Sequence, residues 1–304
     1  MERHSSATVC RAYAKINLFL DMIGRMENGY HEVCSVMQSV GLYDTISVAH
    51  LKRGKGIRLT SDCKALPCDR RNLAFRAAEA FREAFDVPCD VEIRIEKRIP
   101  MAAGMAGGSS DAAAVLRGLN RLFGLKKTTE ELCALGMTLG ADVPFCIRGG
   151  AALAGGIGEK LTSCTGLPSN LPMVVACGGE PVYTPAAYRA LDEKYGDFAA
   201  RRESTMARCE ALAGALRCGE VSAICGGLYN IFEEVVLPQR DVAPGVMAKM
   251  REMGARGVLM SGSGPSVFGI FDTPEAAQAA AGALRGAFDV FAEAVYPVEA
   301  DPQS

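Results

Sequence analysis

The chain has 304 residues, 49% hydrophobic and 22% charged, with 33 Lys and Arg against 35 Asp and Glu for a formal net charge of -2. This is the balance of an ordinary globular protein, long enough for two domains, and without the basic runs that would point to nucleic acid. The opening residues lack the apolar stretch of a secretory signal and no apolar run approaches the roughly 18 residues of a membrane span, so a cytoplasmic protein with a small-molecule partner and no membrane contact is expected.

In chain order, Ala14–Met22, Thr45–Leu51 and Ile57–Leu59 carry the mixed or alternating apolar pattern of strands. Helical spacing follows over Asn72–Phe85, where Phe75, Ala78, Phe81 and Phe85 share a face. Residues 90–99, DVEIRIEKRI, place Val91, Ile93 and Ile95 on one side of a half-buried strand that Pro100 stops. A helix is predicted from about Ser110 to Phe123, closed by Gly124, and another over 128–140, opened by the capping-box spacing of Thr128 and Glu131. Residues 141–144 leave that helix, and a glycine-rich, strand-like stretch runs to about Leu161. The linker-like SCTGLPSNLP (163–172) divides the chain near residue 165 into domains 1–165 and 166–304.

Beyond it the pattern predicts a buried strand at Met173–Cys177 and a helix with Thr184 as N-cap and Pro185 at its first position. Helices near 204–217 and 243–254, a strand–turn–strand over 257–271, a helix capped by Thr273 and a closing strand over 290–298 follow. Strands interleaved with helices in both halves give an α+β or α/β class. The twelve cysteines form no C-x-x-C pair, and His4, His31 and His50 are the only histidines. Reduced thiols are expected, not a zinc site or a disulfide scaffold.

Five segments can carry chemistry. Residues 99–116, IPMAAGMAGGSSDAAAVL, offer backbone amides, a helix N-terminus and the hydroxyls of Ser109 and Ser110 to a polyphosphate or a magnesium ion. No lysine follows the glycines as a Walker A loop requires, and their spacing is not the dinucleotide fingerprint. On these residues alone a packed loop of small side chains stands beside the phosphate reading. Lys15 and Asn17, two apart on a strand, share a face where the lysine either neutralises phosphate or snorkels at a sheet edge. Asp142 in TLGADVPF is either a helix cap or a general base. SGSGPS (261–266) is a hairpin loop or a place of close backbone approach, and Tyr30-His31 a loop pair able to stack on a planar ring.

These segments in this order resemble the GHMP kinases. PMAAGMAGGSSD (100–111) is similar to the family's phosphate loop and SGSGPSVF (261–268) to its third motif, with AKINLFLDM (14–22), GYH (29–31) and TLGADVPF (138–145) matching further. The resemblance implies a two-domain α+β fold, the N-terminal domain like domain 2 of ribosomal protein S5 and the C-terminal domain ferredoxin-like. It implies transfer of the ATP γ-phosphate, with Mg²⁺, to the 2-hydroxyl of 4-diphosphocytidyl-2-C-methyl-D-erythritol in the non-mevalonate isoprenoid route.

It further implies that Asp142 accepts the hydroxyl proton beside Lys15. Asn17, Tyr30, His31 and Tyr188 would hold substrate, the two tyrosines sandwiching cytosine. Pro100, Met101, Ala102, Ala103, Gly104, Met105, Ala106, Gly107, Gly108, Ser109 and Ser110 would hold ATP phosphates, with Lys97 toward the adenosine. Close relatives often carry glycine where this chain has Ala102, Ala103 and Ala106. Because alanine resists positive φ, a stiffer loop with a different backbone at those points is expected. Another small-molecule kinase of the family, such as a homoserine or mevalonate kinase, is disfavoured by GYH and TPAAY, which only a cytosine ring requires. A non-catalytic nucleotide-binding relative is disfavoured by the presence of both Lys15 and Asp142.

Overall fold

A computed structural model describes residues 7–52, 54–88 and 90–300. Two long antiparallel strands, β1 (Thr8–Arg25) and β2 (His31–His50), open the fold, joined by the turn 26–30. β2 is much longer than the predicted Thr45–Leu51. Its first half is buried on both faces, so no alternation marks it; alternation begins only at Gly41. β3 (Ile57–Ser61) and β4 (Val91–Glu96) extend the sheet beyond β2, while β5 (Ala151–Gly155) pairs with β2 and β6 (Lys160–Ser163). In β4 the predicted inward residues Val91, Ile93 and Ile95 are fully buried.

Helices α1 (Leu73–Phe85), α2 (Gly107–Phe123), α3 (Thr129–Met137) and α4 (Val143–Arg148) follow. One core joins Ile46, Val48 and Ile93 of the sheet to Phe81, Val115, Leu119 and Phe145 of these helices. Thr128 and Glu131 form the predicted capping box, and Gly124 closes α2 in the left-handed conformation. α4 was not predicted. All of Val143 to Ile147 is buried, so this six-residue helix has no polar face and no helical period to reveal it. Arg117 of α2 ties it down, donating to the carbonyl oxygens of Cys146 (2.6 Å) and Arg11 (3.0 Å).

The second half holds β7 (Met173–Cys177), α5 (Thr184–Tyr195), α6 (Arg202–Cys218), α7 (Val221–Gly227), β8 (Tyr229–Asn230), α8 (Glu233–Val236), α9 (Val242–Glu252), β9 (Gly257–Met260), β10 (Val267–Ile270), α10 (Pro274–Ala287) and β11 (Phe291–Val295). Its sheet runs β11-β7-β10-β9 with every pair antiparallel, a ferredoxin-like arrangement. β8 leaves that sheet and pairs parallel to β1 at Phe19 and Leu20. A second core is shared between the halves, with Phe19, Val36 and Val40 against Met173, Phe268 and Val295. The eleven cysteines among the described residues are free thiols. No described helix is long and apolar enough to cross a membrane.

Candidate active site

The site begins at β1. Lys15 and Asn17 share a face as their spacing requires, and both are buried; Lys15 Nζ donates to Asn17 Oδ1 at 2.7 Å. Asn17 in turn donates to Ser35 Oγ (2.9 Å), which donates to the Phe19 carbonyl (2.7 Å), so the amide is held from behind. The pairing of β1 with β2 slips between Asn17 and Phe19, a bulge of the kind that re-aims side chains beside a site.

The loop after β4 lies against this strand. Lys15 N donates to Met105 O (3.1 Å), and Ser110 Oγ donates to Tyr13 O (2.7 Å). Ser110 and Met105 are therefore buried struts, whereas Ala102 to Gly104 and Ala106 to Ser109 line a cleft of about 480 Å³. That volume suits a small molecule, for which pockets span roughly 300–1,000 Å³. Ala102 and Ala106 do adopt positive φ, +52° and +55°, so the backbone enters the glycine-favoured region in spite of the methyl groups, contrary to expectation.

From the other side the 261–264 turn braces the loop, since Ser261 Oγ donates to Gly104 O (3.0 Å) and Ser266 N to Ala103 O (3.3 Å). Asn230 of β8 holds that turn by donating to the carbonyls of Met260 (2.6 Å) and Gly262 (2.8 Å). Nothing in the sequence pattern marks Asn230, because its strand is two residues long.

Asp142 stands at the N-cap position of α4, yet its side chain makes no capping hydrogen bond. Its carboxylate lines the cleft, with Oδ1 3.9 Å from Lys15 Nζ. Of the two roles open to it, the structural one is not exercised. Opposite lies α5, which starts one residue earlier than predicted in its cap. Tyr183 is the N-cap, and the Thr184 hydroxyl instead meets Ser263 Oγ at 2.8 Å. Tyr188, one turn on, lines the cleft and packs edge-on to Phe232. Burial, with the Asp142 charge nearby, pushes its phenol up to about 12, so it is a neutral ring at any working pH.

His31 and Tyr30 stand differently. The His31 ring is buried and stacked on Tyr188, centroids 4.8 Å apart, and Nε2 meets Asp192 Oδ1 at 2.6 Å. Tyr30, at the hairpin tip, is 60% exposed, and neither residue is among those lining the main cleft. The side chain of Lys97 is 5% exposed and held between Asp44 and Asp111, the latter at 2.9 Å. It lines a second cavity of about 240 Å³ with Leu66, Arg71, Pro100 and Met101; Ala102, Gly107 and Gly108 border both spaces. An added Cβ at Gly107 would meet Lys97 Nζ and Ile99 Cγ2 at 3.0 Å, so any larger residue there must displace one of those side chains where the loop closes over the lysine.

Lys15, the carboxylate of Asp142 relieved of capping and the loop backbone at the start of α2 therefore stand around one cleft. Two family profiles match the chain, the GHMP kinase N-terminal domain over residues 72–150 and the GHMP kinase C-terminal domain over 215–290. The chain belongs to the GHMP kinases. It is 43% identical over 261 residues to the 4-diphosphocytidyl-2-C-methyl-D-erythritol kinase of Alkaliphilus metalliredigens, covering 86% of this chain and 87% of the relative. The protein of that name from Caldicellulosiruptor saccharolyticus is 43% identical over 277 residues, covering 91% and 92%.

A crystal structure of 4-(cytidine 5'-diphospho)-2C-methyl-D-erythritol kinase superposes with a TM-score of 0.77 at 38% identity, covering 95% of this chain and 99% of the other. Homoserine kinase from Cytophaga hutchinsonii superposes at 0.78 with 21% identity, covering 99% and 98%, a likeness of fold. The chain is thus an ATP-dependent kinase of GHMP architecture.

Proposed function

We propose that this kinase transfers the ATP γ-phosphoryl group to the 2-hydroxyl of 4-diphosphocytidyl-2-C-methyl-D-erythritol, in the non-mevalonate route to isoprenoid precursors. The observation that carries the reading is Asp142, its carboxylate free at a helix start, 3.9 Å from buried Lys15 across a cleft edged by the glycine loop. Phosphoryl transfer asks for alignment and charge stabilisation more than covalent chemistry. Asp142 accepts the proton of the attacking hydroxyl, and Lys15 supplies positive charge to the phosphoryl oxygens. Asn17 fixes the lysine. The amides of the 102–109 loop cradle the phosphates, and the second cavity beyond Gly107 and Gly108 receives the adenosine beside Lys97.

Ser109 and Asp142 line the same cleft, a hydroxyl and a carboxylate of the hard oxygen type that magnesium takes alongside nucleotide phosphates. The Ser109 hydroxyl would hold Mg²⁺, which supplies charge neutralisation to the phosphates when bound; the Asp142 carboxylate is left to take the hydroxyl proton. The aromatic end, Tyr188 and His31 with Tyr30 at the hairpin tip, takes the cytosine ring. The reading includes a cytoplasmic enzyme divided near residue 165, with Lys15, the loop and Asp142 in the first part. ADP release by the purified protein, compared across cytidylated methylerythritol, homoserine and mevalonate, tests it. Release with the first alone is expected; release only with homoserine or mevalonate assigns another family substrate.

A further inference from the structure

β9 is the edge strand of the second sheet, so backbone groups on its outer side lack a neighbouring strand among the described residues. At Met260 two side chains supply the partners instead. Glu233, the first residue of α8, accepts from Met260 N through Oε1 at 2.7 Å. Asn230 Nδ2 donates to Met260 O at 2.6 Å and to Gly262 O at 2.8 Å. Asn230 Oδ1 accepts from Phe232 N at 3.0 Å, so two carbonyls on one side and an amide on the other fix which way the side chain faces. Asn230 is buried, where a lost partner leaves polar groups without water to replace it.

The clamped end of β9 leads into the turn that braces the phosphate loop. Ser261 and Ser266 bond to the carbonyls of Gly104 and Ala103, and Gly262, Ser263 and Gly264 line the cleft beside the loop. The clamping segment is itself anchored to the strand of the reacting lysine. Ile231 N donates to Leu20 O at 2.9 Å, and β1, which carries Leu20, also carries Lys15 and Asn17.

We infer that Asn230 and Glu233 are a positioning pair for the ATP phosphates. By gripping Met260 and Gly262 they fix the 261–264 turn, and through it the loop, in register with Lys15 and Asp142. Phosphoryl transfer depends on that register, because alignment is most of what the protein contributes. The inference rests on the reading of the 102–109 loop as the phosphate cradle, and is independent of which acceptor the kinase uses.

Calorimetric titration with ADP and with AMP tests the pair, since only ADP carries a β-phosphate into the cradle. Asn230→Asp keeps the shape and the acceptor for Phe232 N but sets a carboxylate against two carbonyls. It should weaken ADP about tenfold and AMP no more than about twofold. Glu233 is half-buried, so Glu233→Ala should keep the fold and weaken ADP about three- to tenfold. Glu233→Gln, which still accepts from Met260 N, should restore ADP binding. Unchanged ADP binding in Glu233→Ala overturns the inference, as does an equal loss of ADP and AMP, the mark of a purely structural residue. Gly108→Asp tests the loop separately. A Cβ there would meet Leu73 Cδ1 at 3.7 Å, an ordinary contact, so a carboxylate fits at the cradle and should repel ADP. If Gly108→Asp weakens ADP and Glu233→Ala does not, the loop reading stands and the positioning role is lost. If neither weakens ADP, the loop is not the cradle and the inference falls with that reading.

Discussion

Two lysines flank the phosphate loop, and they differ in how fully their charge is answered. Both are buried, with side chains 7% exposed at Lys15 and 5% at Lys97, so burial does not separate them. Lys97 touches the carboxylates of Asp44 and Asp111, and Asp44 also accepts the backbone amides of Arg98 and Ile99. That lysine is complete, a brace pinning the strand that enters the loop to β2 and α2. Lys15 donates to a neutral amide and stops 3.9 Å short of its carboxylate. An ammonium has three donors, and this one keeps capacity for an arriving anion. Residue type and burial are alike; the number of acids in contact distinguishes a brace from a reacting group.

The comparison breaks most visibly at the reacting end. Asp142→Asn or Lys15→Met should lower kcat by roughly 10²–10⁴-fold, the span of general-base and charge-stabilising groups, while the thermal melt stays near that of the wild type. Near wild-type turnover in either variant removes that residue from the reaction. Lys97→Met should do the opposite. It leaves two buried carboxylates without their cation, at a cost of about 3–5 kcal/mol of stability in urea titration. A Lys97→Met protein as stable as the wild type would mean that the brace carries no weight.

The acids around Lys97 are themselves unequal, which sharpens the contrast. Burial is the largest influence on Asp111, and with the Asp44 charge beside it outweighs Lys97, raising its carboxyl from 3.8 to about 7. Its Oδ1 is buried without a hydrogen-bond partner. Across that window the folded protein holds a proton that the unfolded chain has released. The contribution of Asp111 to stability is therefore full below about pH 4 and lost as pH rises through about 7. Asp111→Asn removes the titration, so the urea midpoint of the wild type should fall relative to that of the variant between pH 4 and 7.5. A constant difference means that Asp111 is ionised in the folded protein throughout.

Much of this was legible in the residues, for reasons that differ by element. The alternation of β4 and the capping box of α3 are local signals: β4 is legible because one face is buried and the other wet, α3 because Thr128 and Glu131 meet across three residues. The first half of β2, all of α4 and β8 escaped because they are buried on every side or two residues long, which removes periodicity. At the site, the motifs point to Lys15, Asn17, Asp142, Tyr188 and residues 102–104 and 106–109, which line one cleft, and to Tyr30, His31, Lys97, Pro100, Met101, Met105 and Ser110, which do not; all of these were legible in the residues. Asp44, Asp192 and Asn230 were not. They act on partners 53, 161 and 30 residues away, and such partnerships leave no spacing in the chain.

The smallest expected effect concerns the loop's alanines. Gly104 and Ala106 both hold positive φ, +75° and +55°, so conformation alone would call for glycine at each. Space separates them. A Cβ on Gly104 would lie 2.4 Å from the Ser261 carbonyl oxygen, a backbone atom that yields only if the turn itself moves, whereas the Ala106 methyl packs partly buried against the core of the first sheet. At Ala106 the left-handed conformation costs about 1–2 kcal/mol, offset by the methyl's burial and by the roughly 0.4–1 kcal/mol that alanine removes from the freedom of the unfolded chain. Ala106→Gly should therefore change stability by no more than about 1 kcal/mol and leave the KM for ATP within about twofold. Gly104→Ala must push the 261–264 turn away from the loop and should raise that KM much further at a similar fold. Equal ATP affinity in the two variants would show that the contact between loop and turn does not shape the phosphate cradle, and that glycine at 104 answers only to its φ.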